Sequence, residues 1–418
     1  MAIAAESVER INSWIVIRGL AGDDEITLLD GVCEYCCEAG LSLSRAVAII
    51  DTLDPVYEGR VFSWRRDKEL ENPVSAYEPT REGPAAEAWR KSPFFYLWST
   101  GRSELRFRLE QGETGDLVEQ GETGSFEAVE ELRAEGQTDY LALIFRFGKE
   151  TVIGEMDSFM ARWVTDQPGG FDEADVAALR RLTAALGLAI KSRSLARVAQ
   201  SLVEAYLGRD AGRRVLEGRI RRGTTKSINA VLWFSDMQGF TAISEKLPSD
   251  QLIPLLDDYA EAVISAIHGA GGDVLKLIGD GVLAIFAAGG SATAACRSAL
   301  AAERDMRSRL AALEQRRAAA GAPVASIYLG LHIGDVFYGN IGAKNRLDFT
   351  VVGPAVNETH RISSMCSSVG RNFLLSSDFL QWLSPDERQD FVSVGRFALR
   401  GVSRAQELFT LDPEIAGT

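Results

Sequence analysis

Hydrophobic residues in the first 190 positions follow two periods, which predict a mixture of helices and strands. Apolar residues recur every three or four positions in Val8–Arg18 and Glu25–Ala39, so both segments are predicted to be amphipathic helices. A long helix is predicted after Asp172, which is placed to cap it. Short runs rich in β-branched and aromatic residues predict strands at Arg45–Thr52, Arg60–Arg65, Tyr140–Phe147, Thr151–Ser158 and Ala161–Thr165.

The segment 191–227 has a helical pattern of a different kind. Its apolar residues between positions 195 and 206 are spaced by three or four, which is typical of a helix that pairs with another helix. Several arginines follow, and they fit either a solvated helix face or an element that couples two domains. We therefore divide the chain into a domain at 1–190, a helical linker at 191–227 and a second domain at 228–414.

The second domain begins with an apolar strand that ends in an acidic residue. Ala230–Ser235 reads as a buried strand and is followed directly by Asp236. A glycine turn and a helix start come next, where backbone N–H groups can receive phosphate oxygens, while the aspartate can hold a divalent cation. The residues of this turn are Met237, Gly239, Phe240 and Thr241.

A second aspartate follows 44 positions later (280 − 236). The segment 271–286 reads as two strands joined at Gly279-Asp280-Gly281, and glycine supplies the backbone angles of such a turn. Alone, this tripeptide indicates only a hairpin. Two strand-end aspartates separated by a predicted helix, Leu252–His268, predict a site for two Mg²⁺ that supports in-line phosphoryl chemistry.

A third polar cluster follows the apolar strand Ile327–Ile333. Asn357 and Arg361 are four residues apart, so on a helix they share one face. An amide and a guanidinium on one face can orient a ribose and neutralise a phosphate. Taken alone, the pair would equally fit a surface hydrogen bond.

Composition and charge narrow the classes of function. The 418 residues contain 45 Lys+Arg and 59 Asp+Glu, a net charge of −14, which argues against nucleic acid and anionic membrane surfaces as partners. No apolar run approaches the roughly 20 residues of a membrane span, and Glu6 and Glu9 precede any basic residue, unlike a secretory signal. We therefore expect a cytoplasmic protein. Cys33, Cys36 and Cys37 are better explained by packing on a predicted helix than by metal or redox chemistry.

Four motifs make residues 229–412 resemble the catalytic domain of class III nucleotide cyclases, which make cyclic AMP or cyclic GMP. They are Phe234–Thr241, Lys276–Gly281, Gly330–Gly334 and Thr350–Arg361. The resemblance implies a ferredoxin-like βαββαβ core in a chain of the α/β (α+β) class. It also implies a head-to-tail homodimer with active sites at the interface.

The family's catalytic roles transfer to matching positions in this sequence. By resemblance, Asp236 and Asp280 would hold two Mg²⁺ (or Mn²⁺) per active site, helped by the Met237 carbonyl. Asn357 would orient the ribose, and Arg361 would stabilise the transition state. No histidine base is needed by this chemistry, so the three histidines are predicted to be structural.

Substrate contacts are implied in the same way. Lys276 and Thr350 would face the purine from the other protomer. Arg400 stands where the family usually has a lysine for the terminal phosphates, and Pro354 replaces a frequent acidic residue; we expect activity to survive both departures. The phosphate-facing turn is assigned to Gly239, Phe240 and Thr241.

Hydrogen-bond polarity favours ATP as the substrate. Adenine accepts at N1 and donates at N6, which a lysine and a threonine hydroxyl complement, whereas guanine would call for a carboxylate in place of Lys276. The sequence therefore predicts an adenylate cyclase. The alternatives are a guanylate or pyrimidine nucleotide cyclase, a diguanylate cyclase, and a catalytically weak cyclase-like module that binds nucleotide to control interactions.

The order of elements in residues 1–190 resembles a GAF-type sensor domain. The resemblance rests on the turn at Phe171–Asp175 before a long helix, and on the strand pair Tyr140–Phe147 and Thr151–Ser158. It implies either a pocket for a small-molecule ligand or a degenerate pocket used for dimerisation.

Overall fold

The protein folds into two compact units, Met1–Leu202 and Val203–Thr418. Its computed structural model describes residues 3–67, 69–80, 82–113, 126–148, 153–154 and 156–412. Within those ranges, no helix combines the length and the apolar character needed to cross a membrane.

The first unit is built on an antiparallel sheet. Its strands are β1 (Arg45–Asp51), β2 (Gly59–Arg65), β3 (Val74–Tyr77), β4 (Glu104–Phe107), β5 (Asp139–Arg146) and β6 (Ser158–Thr165). Among the described residues they pair in the order β3-β2-β1-β6-β5-β4. The predicted strands at β1, β2, β5 and β6 are confirmed. Three residues of the strand predicted at Thr151–Ser158 (151, 152 and 155) lie outside the described residues, and the described part shows only an isolated bridge between Ile153 and Met156 before β6 begins at Ser158.

Helices lie on both faces of this sheet. They are α1 (Ala5–Ala21), α2 (Glu25–Glu38), α3 (Gly83–Arg90), α4 (Pro93–Thr100), α5 (Glu127–Ala134) and α6 (Glu173–Leu207). The predicted helices at α1 and α2 are confirmed, and Asp172 caps α6 by accepting a 2.8 Å hydrogen bond from the Asp175 N–H. The expected domain boundary at residue 190 falls inside α6, which continues to Leu207.

The core on one face joins α1, α2 and α6 to the sheet. Trp163 of β6 is fully buried there, and its indole N–H donates a 2.9 Å hydrogen bond to Thr183 Oγ1. Cys33 and Cys36 of α2 are fully buried in the same core. Burial raises the pKa of the Cys36 thiol to about 12, and the neighbouring Cys37 makes a smaller contribution in the same direction. This thiol therefore stays protonated and packs as an apolar group.

The second unit contains the larger sheet. Its strands are β7 (Thr225–Met237), β8 (Asp273–Ile278), β9 (Gly281–Ala287), β10 (Ile327–Ala343), β11 (Arg346–Val352), β12 (Phe373–Ser376), β13 (Phe391–Phe397) and β14 (Gln406–Leu411). Its helices are α7 (Arg209–Leu216), α8 (Phe240–Ser244), α9 (Ser249–Gly269), α10 (Ala292–Ala319), α11 (Pro354–Val369), α12 (Ser377–Leu380) and α13 (Pro385–Arg388).

The connectivity confirms the predicted ferredoxin-like core. The chain runs β7-α9-β8-β9-α10-β10, and these four strands lie side by side in the order β10-β7-β9-β8 with antiparallel neighbours. β12, β14 and β13 extend the sheet beyond β10, and β11 pairs with the far end of β10. In this arrangement the end of β7 and the start of β9 lie next to each other at one edge of the sheet.

Alternation along β7 assigns its two faces to different helices. Val231 and Trp233 are buried against α9 and α10, whereas Leu232 points to the opposite face. α11 crosses that opposite face in close contact with β10. A Cβ at Gly330 would lie 2.5 Å from the Ser363 backbone N, so the absence of a side chain at position 330 sets how near α11 can approach.

Candidate active site

Asp236 and Asp280 lie next to each other at one edge of the second sheet. Asp236 is the penultimate residue of β7, and Asp280 occupies the turn between β8 and β9. Because β7 pairs with β9 in antiparallel register, with Ser235 opposite Val282, the end of β7 meets the start of β9. The Met237 N–H donates a 3.0 Å hydrogen bond to Asp280 Oδ2, which holds the second carboxylate beside the first.

The electrostatics of this pair favour a bound cation. Burial raises the pKa of Asp236 to about 7, and the hydrogen bond with Asp280 and its negative charge add to the effect, while the Met237 amide opposes it. Two adjacent carboxylates disfavour each other's ionised form unless a positive charge compensates them. Carboxylate oxygens are the ligands that Mg²⁺ prefers, and protein sites for this ion use one or two carboxylates completed by substrate phosphates and water. The pair therefore fits Mg²⁺ or Mn²⁺. Within the described residues, no group of three or more His, Cys, Asp or Glu forms a metal site.

A small cavity of about 210 Å³ adjoins the aspartates. Residues at the ends of β7 and β9 form one wall, and Leu256, Tyr259 and Val263 of α9 form the other. None of the residues predicted to bind the base, the ribose or the terminal phosphates lines this cavity in the described part of the chain. One chain thus brings the metal-binding pair together, with the turn at residues 239–241 following β7 directly, whereas Lys276 lines another cavity.

Of the two predicted base-binding residues, Lys276 lines a different cavity of about 890 Å³, whereas Thr350 does not line it. Lys276 of β8 forms an ion pair with Asp348 of β11, and both line this cavity. Thr350, which is buried, shares a strand face with Asp348 because the two are separated by two positions on β11. The structure therefore brings Lys276 and Thr350 to neighbouring positions.

Asp348 is a candidate site residue that the sequence interpretation missed. Its carboxylate holds the Lys276 ammonium against β11, which fixes where this donor can point. The available signal was the spacing of Asp348 and Thr350, which puts an acid on the same strand face as the predicted base contact.

Asn357 and Arg361 lie one helical turn apart on α11. Asn357 is exposed and Arg361 is half-buried. The helix is held against β7 by an edge-to-face contact between His360 and Phe234, whose ring centroids are 4.6 Å apart. Pro354 occupies the first turn of α11, where its missing N–H would have no helical partner in any case, so this departure from the family pattern fits the fold.

Comparison with known proteins identifies the family that this part of the chain matches. Residues 224–412 match the family model described as the adenylate and guanylate cyclase catalytic domain. These residues form a class III nucleotide cyclase domain.

Curated relatives of the cyclase domain have different names and lengths. An adenylate cyclase of Anabaena cylindrica is 31% identical over 173 residues, which is 40% of this chain and 33% of that protein. Adenylate cyclase 1 of Rhizobium meliloti (strain 1021) is 32% identical over 147 residues, 34% of this chain and 22% of that protein. An uncharacterized protein of Mycobacterium tuberculosis (strain ATCC 25618 / H37Rv) is 30% identical over 231 residues, 55% of this chain and 41% of that protein. The chain thus spans less than half the length of these relatives.

Solved structures similar to the chain include cyclases of both substrate types. The adenylyl cyclase CyaB from P. aeruginosa is 26% identical, covers 45% of this chain and 96% of its own, and gives a TM-score of 0.41. The guanylyl cyclase Cya2 is also 26% identical, covers 45% and 93%, and gives 0.40.

The remaining predicted substrate contacts lie in loops of the cyclase domain. Gly239 has a left-handed backbone (φ +69°) and begins α8, which contains Phe240 and Thr241. Arg400 is exposed in the loop between β13 and β14 and is followed by Gly401, also left-handed (φ +78°). Both loops leave their backbone or side-chain donors accessible to a ligand.

Two of the three histidines of the cyclase domain contact neighbouring side chains, and the third, His268, lines the cavity that contains Lys276. His332 is buried in β10, with Nδ1 2.8 Å from Ser376 Oγ. His268 lies near the end of α9, and His360 contacts the Phe234 ring. None of the three lines the cavity beside the aspartates within the described residues.

Proposed function

We propose that the protein is an adenylate cyclase, which converts ATP to 3′,5′-cyclic AMP and diphosphate. The observation that supports this most strongly is the facing pair Asp236 and Asp280 within a region that matches the cyclase family. The reaction is an in-line attack of the ribose 3′-hydroxyl on the α-phosphorus, which requires positioning and compensation of negative charge more than a protein nucleophile.

The aspartates would hold two Mg²⁺ or Mn²⁺, helped by the Met237 carbonyl. Bound there, the ions lower the pKa of the attacking hydroxyl and neutralise phosphate charge. Asn357 would fix the ribose, and the Arg361 guanidinium would stabilise charge that develops on the phosphate in the transition state. The turn at residues 239–241 and the Arg400 side chain would bind the phosphates.

We infer a head-to-tail homodimer from the division of these groups within one chain. The metal pair adjoins one cavity, and Lys276 with Asp348 lines another, while no predicted base or ribose contact reaches the first cavity in the described residues. A symmetric dimer that apposes the two regions would assemble two complete sites. In each site, one protomer supplies the aspartates and its partner supplies the base contacts with Asn357 and Arg361.

The choice of ATP rests on Lys276 and Thr350. The ammonium is a donor toward adenine N1, and the hydroxyl can accept from the N6 amino group. Asp348 introduces a second candidate, because a carboxylate beside the base would accept hydrogen bonds from guanine N1 and N2. We favour ATP because the Lys276 ion pair already engages this carboxylate.

Turnover of four nucleotides tests the proposal. Purified full-length protein is incubated with ATP, GTP, CTP or UTP and with Mg²⁺ or Mn²⁺, and each cyclic product is quantified. We expect cyclic AMP to dominate. Dominant cyclic GMP would establish the second candidate, and no cyclic product from any nucleotide would refute the enzyme and favour a binding module.

Variants of the metal pair sharpen that test. Asp236→Asn and Asp280→Asn preserve side-chain size and are each expected to lower turnover by at least about 100-fold, because an amide cannot replace an anionic ligand. Asp305→Asn is the matched control, since Asp305 is a surface acid of α10 whose ion pair, with Arg309 at 2.8 Å, lies within one helix. Retention of more than a few per cent of activity in either aspartate variant would refute the metal assignment.

The first unit would act as a GAF-like regulatory domain that controls the cyclase in a cytoplasmic signalling protein. The proposed division is a sensor at 1–190, a transducing helical linker at 191–227 and the catalytic domain at 228–414. A direct test of regulation compares the turnover of the unaltered chain with that of a chain carrying a substitution in the cavity that Tyr77, Trp89 and Trp98 line in the first unit.

A further inference from the structure

The first unit contains a cavity of about 460 Å³, a volume typical of small-molecule sites. Its floor comes from β1, β3 and β6, and its walls come from α3 and α4. Three aromatic side chains surround it: Trp89 of α3, Trp98 of α4 and Tyr77 of β3. The cyclase chemistry proposed above uses none of these residues.

The rest of the lining is acidic. Among the described residues, it contains no lysine or arginine but includes Asp51, Glu58 and Asp157. Asp157 accepts a 3.3 Å hydrogen bond from the Trp98 indole N–H, and Glu58 accepts one of 2.8 Å from the Thr80 hydroxyl. Glu58 and Asp157 are thus held in place, and their remaining lone pairs are available to a ligand.

The Tyr77 hydroxyl responds to the same acidic environment. It donates a hydrogen bond to Asp51. Burial raises the pKa of Tyr77, and the negative charges of Asp51, Glu58 and Asp157 raise it further. The charges of the three acids therefore converge on the cavity.

A buried hydroxyl without a partner also faces this space. Ser158 is 1% exposed and lines the cavity together with Met160, with which it shares a face of β6. Its Oγ has no hydrogen-bond partner among the described residues. Buried hydroxyls are normally satisfied, so this atom indicates a polar group that the protein alone does not supply.

The Trp98 side chain is partly exposed at the cavity and is held in place by its neighbours. It is 47% exposed, which is unusual for a tryptophan, and it stacks on Phe95 at 6.2 Å between ring centroids. Phe95 in turn contacts Trp89 edge-on at 5.9 Å. Trp98 is thereby held at the cavity by Phe95 on one side and by Asp157 at its N–H.

We propose that this cavity binds a small organic cation, an ammonium or guanidinium group attached to a flat apolar body. The indole faces attract a cation through their π electrons, and the carboxylates compensate its charge. A metal ion is a poorer match, because the two indoles that line the cavity offer π faces to an organic cation but no ligand atom to a metal. A phosphate or cyclic nucleotide is a poorer match still, because it would face carboxylates without a described cation in the lining.

Three probes of one shape and different charge test this assignment on the full-length protein. Phenethylamine is cationic at pH 7.5, 2-phenylethanol is neutral and phenylacetate is anionic. Affinities are measured by ligand-observed NMR titration. We expect phenethylamine to bind at least about tenfold more tightly than 2-phenylethanol, and phenylacetate to bind more weakly than both. Equal affinities, tighter binding of phenylacetate, or no binding of phenethylamine up to ~10 mM would each overturn the proposal.

Variants locate the binding of the cationic probe. Asp157→Asn keeps an acceptor for the Trp98 N–H but removes the charge, and Trp98→Leu removes the indole; each is expected to weaken phenethylamine binding about five- to tenfold. Asp67→Asn and Trp382→Leu are matched controls, because Asp67 is an exposed acid of the first unit and Trp382 is a half-exposed tryptophan of the second. Unchanged binding in both test variants would overturn the assignment. If Asp157→Asn does not fold, Trp98→Leu and the charge series decide the question.

Discussion

Replacing Gly330 with alanine should impair the enzyme by displacing the helix that presents Asn357 and Arg361. The added Cβ would lie 2.5 Å from the Ser363 backbone N and 2.8 Å from the Thr359 backbone O. Neither atom can rotate away, because both belong to the backbone of α11. Restoring an ordinary 3.4 Å contact to the nearer atom requires a separation of about 0.9 Å (3.4 − 2.5).

Two magnitudes follow from this displacement. Overpacking of a core contact costs about 1–3 kcal/mol of unfolding free energy. A misplacement of about 1 Å in groups that act on the transition state can lower kcat by about 100-fold. We therefore expect Gly330→Ala to be folded at low temperature, to unfold earlier in urea, and to lose far more kcat than its loss of stability would explain.

Gly269→Ala is the matched control for this prediction. Gly269 is the last residue of α9, and a Cβ there would meet nothing within 4 Å. The control should be as stable as the original or more stable by about 0.4–1 kcal/mol, because alanine restricts the unfolded chain. Turnover and urea unfolding are measured for both variants. If Gly330→Ala matched Gly269→Ala in kcat, the contact of α11 with β10 would not set the catalytic geometry.

Two further predictions concern base choice and pH. Lys276→Glu with Thr350→Cys should lower ATP turnover at least about tenfold and admit GTP. Adding Asp348→Asn should improve the folding of this double variant, because the new carboxylate would otherwise face Asp348. Unchanged ATP turnover would show that these residues do not contact the base. Burial lowers the pKa of His332 to about 4, although the negative charge of Asp378 acts in the opposite direction. Glu358 Oε2 lies 3.4 Å from His332 Nε2, and burial raises the pKa of the Glu358 carboxyl. Since the folded state then binds fewer protons at His332, its contribution is complete above pH 6.5 and is lost as pH falls toward 4. His332→Gln should thus reduce the pH 7 to pH 4.5 difference in unfolding free energy by about 2–3 kcal/mol, and an unchanged difference would contradict the assignment.

The fold of the catalytic domain could be predicted from local pattern because its strands are unusually distinct. The apolar run at Ala230–Ser235 and the glycine turn at Asp280 each specify an element and where it ends. Which strands pair does not follow from this pattern; the resemblance to class III nucleotide cyclases implied a ferredoxin-like core, and the structure has it. In this core β7 pairs with β9, which brings Asp236 and Asp280 together.

Features that depend on side chains far apart in sequence could not be predicted in the same way. The ion pair of Lys276 with Asp348 joins residues 72 positions apart (348 − 276) on strands that are not paired to each other, and no local period indicates it. The acidic aromatic cavity of the first unit likewise draws Trp98 and Asp157 from separate elements. Patterning determines which face of an element is apolar, but it does not specify which polar groups the tertiary packing then brings together.

Activity restored by mixing two inactive variants would establish whether one site needs two chains. Asp280→Ala removes a metal ligand, and Arg361→Ala removes the guanidinium of α11, so each homodimer should be inactive. If the aspartates of one protomer act with Arg361 of its partner, a mixed dimer has one site with both defects and one with neither. Random exchange makes about half the dimers mixed, and one of two sites is intact in each, so about a quarter of full activity is expected. Cyclic AMP output is measured after co-expression, with mixed dimers confirmed by two affinity tags. Mixed dimers without activity would instead place both residues in the same site of one chain.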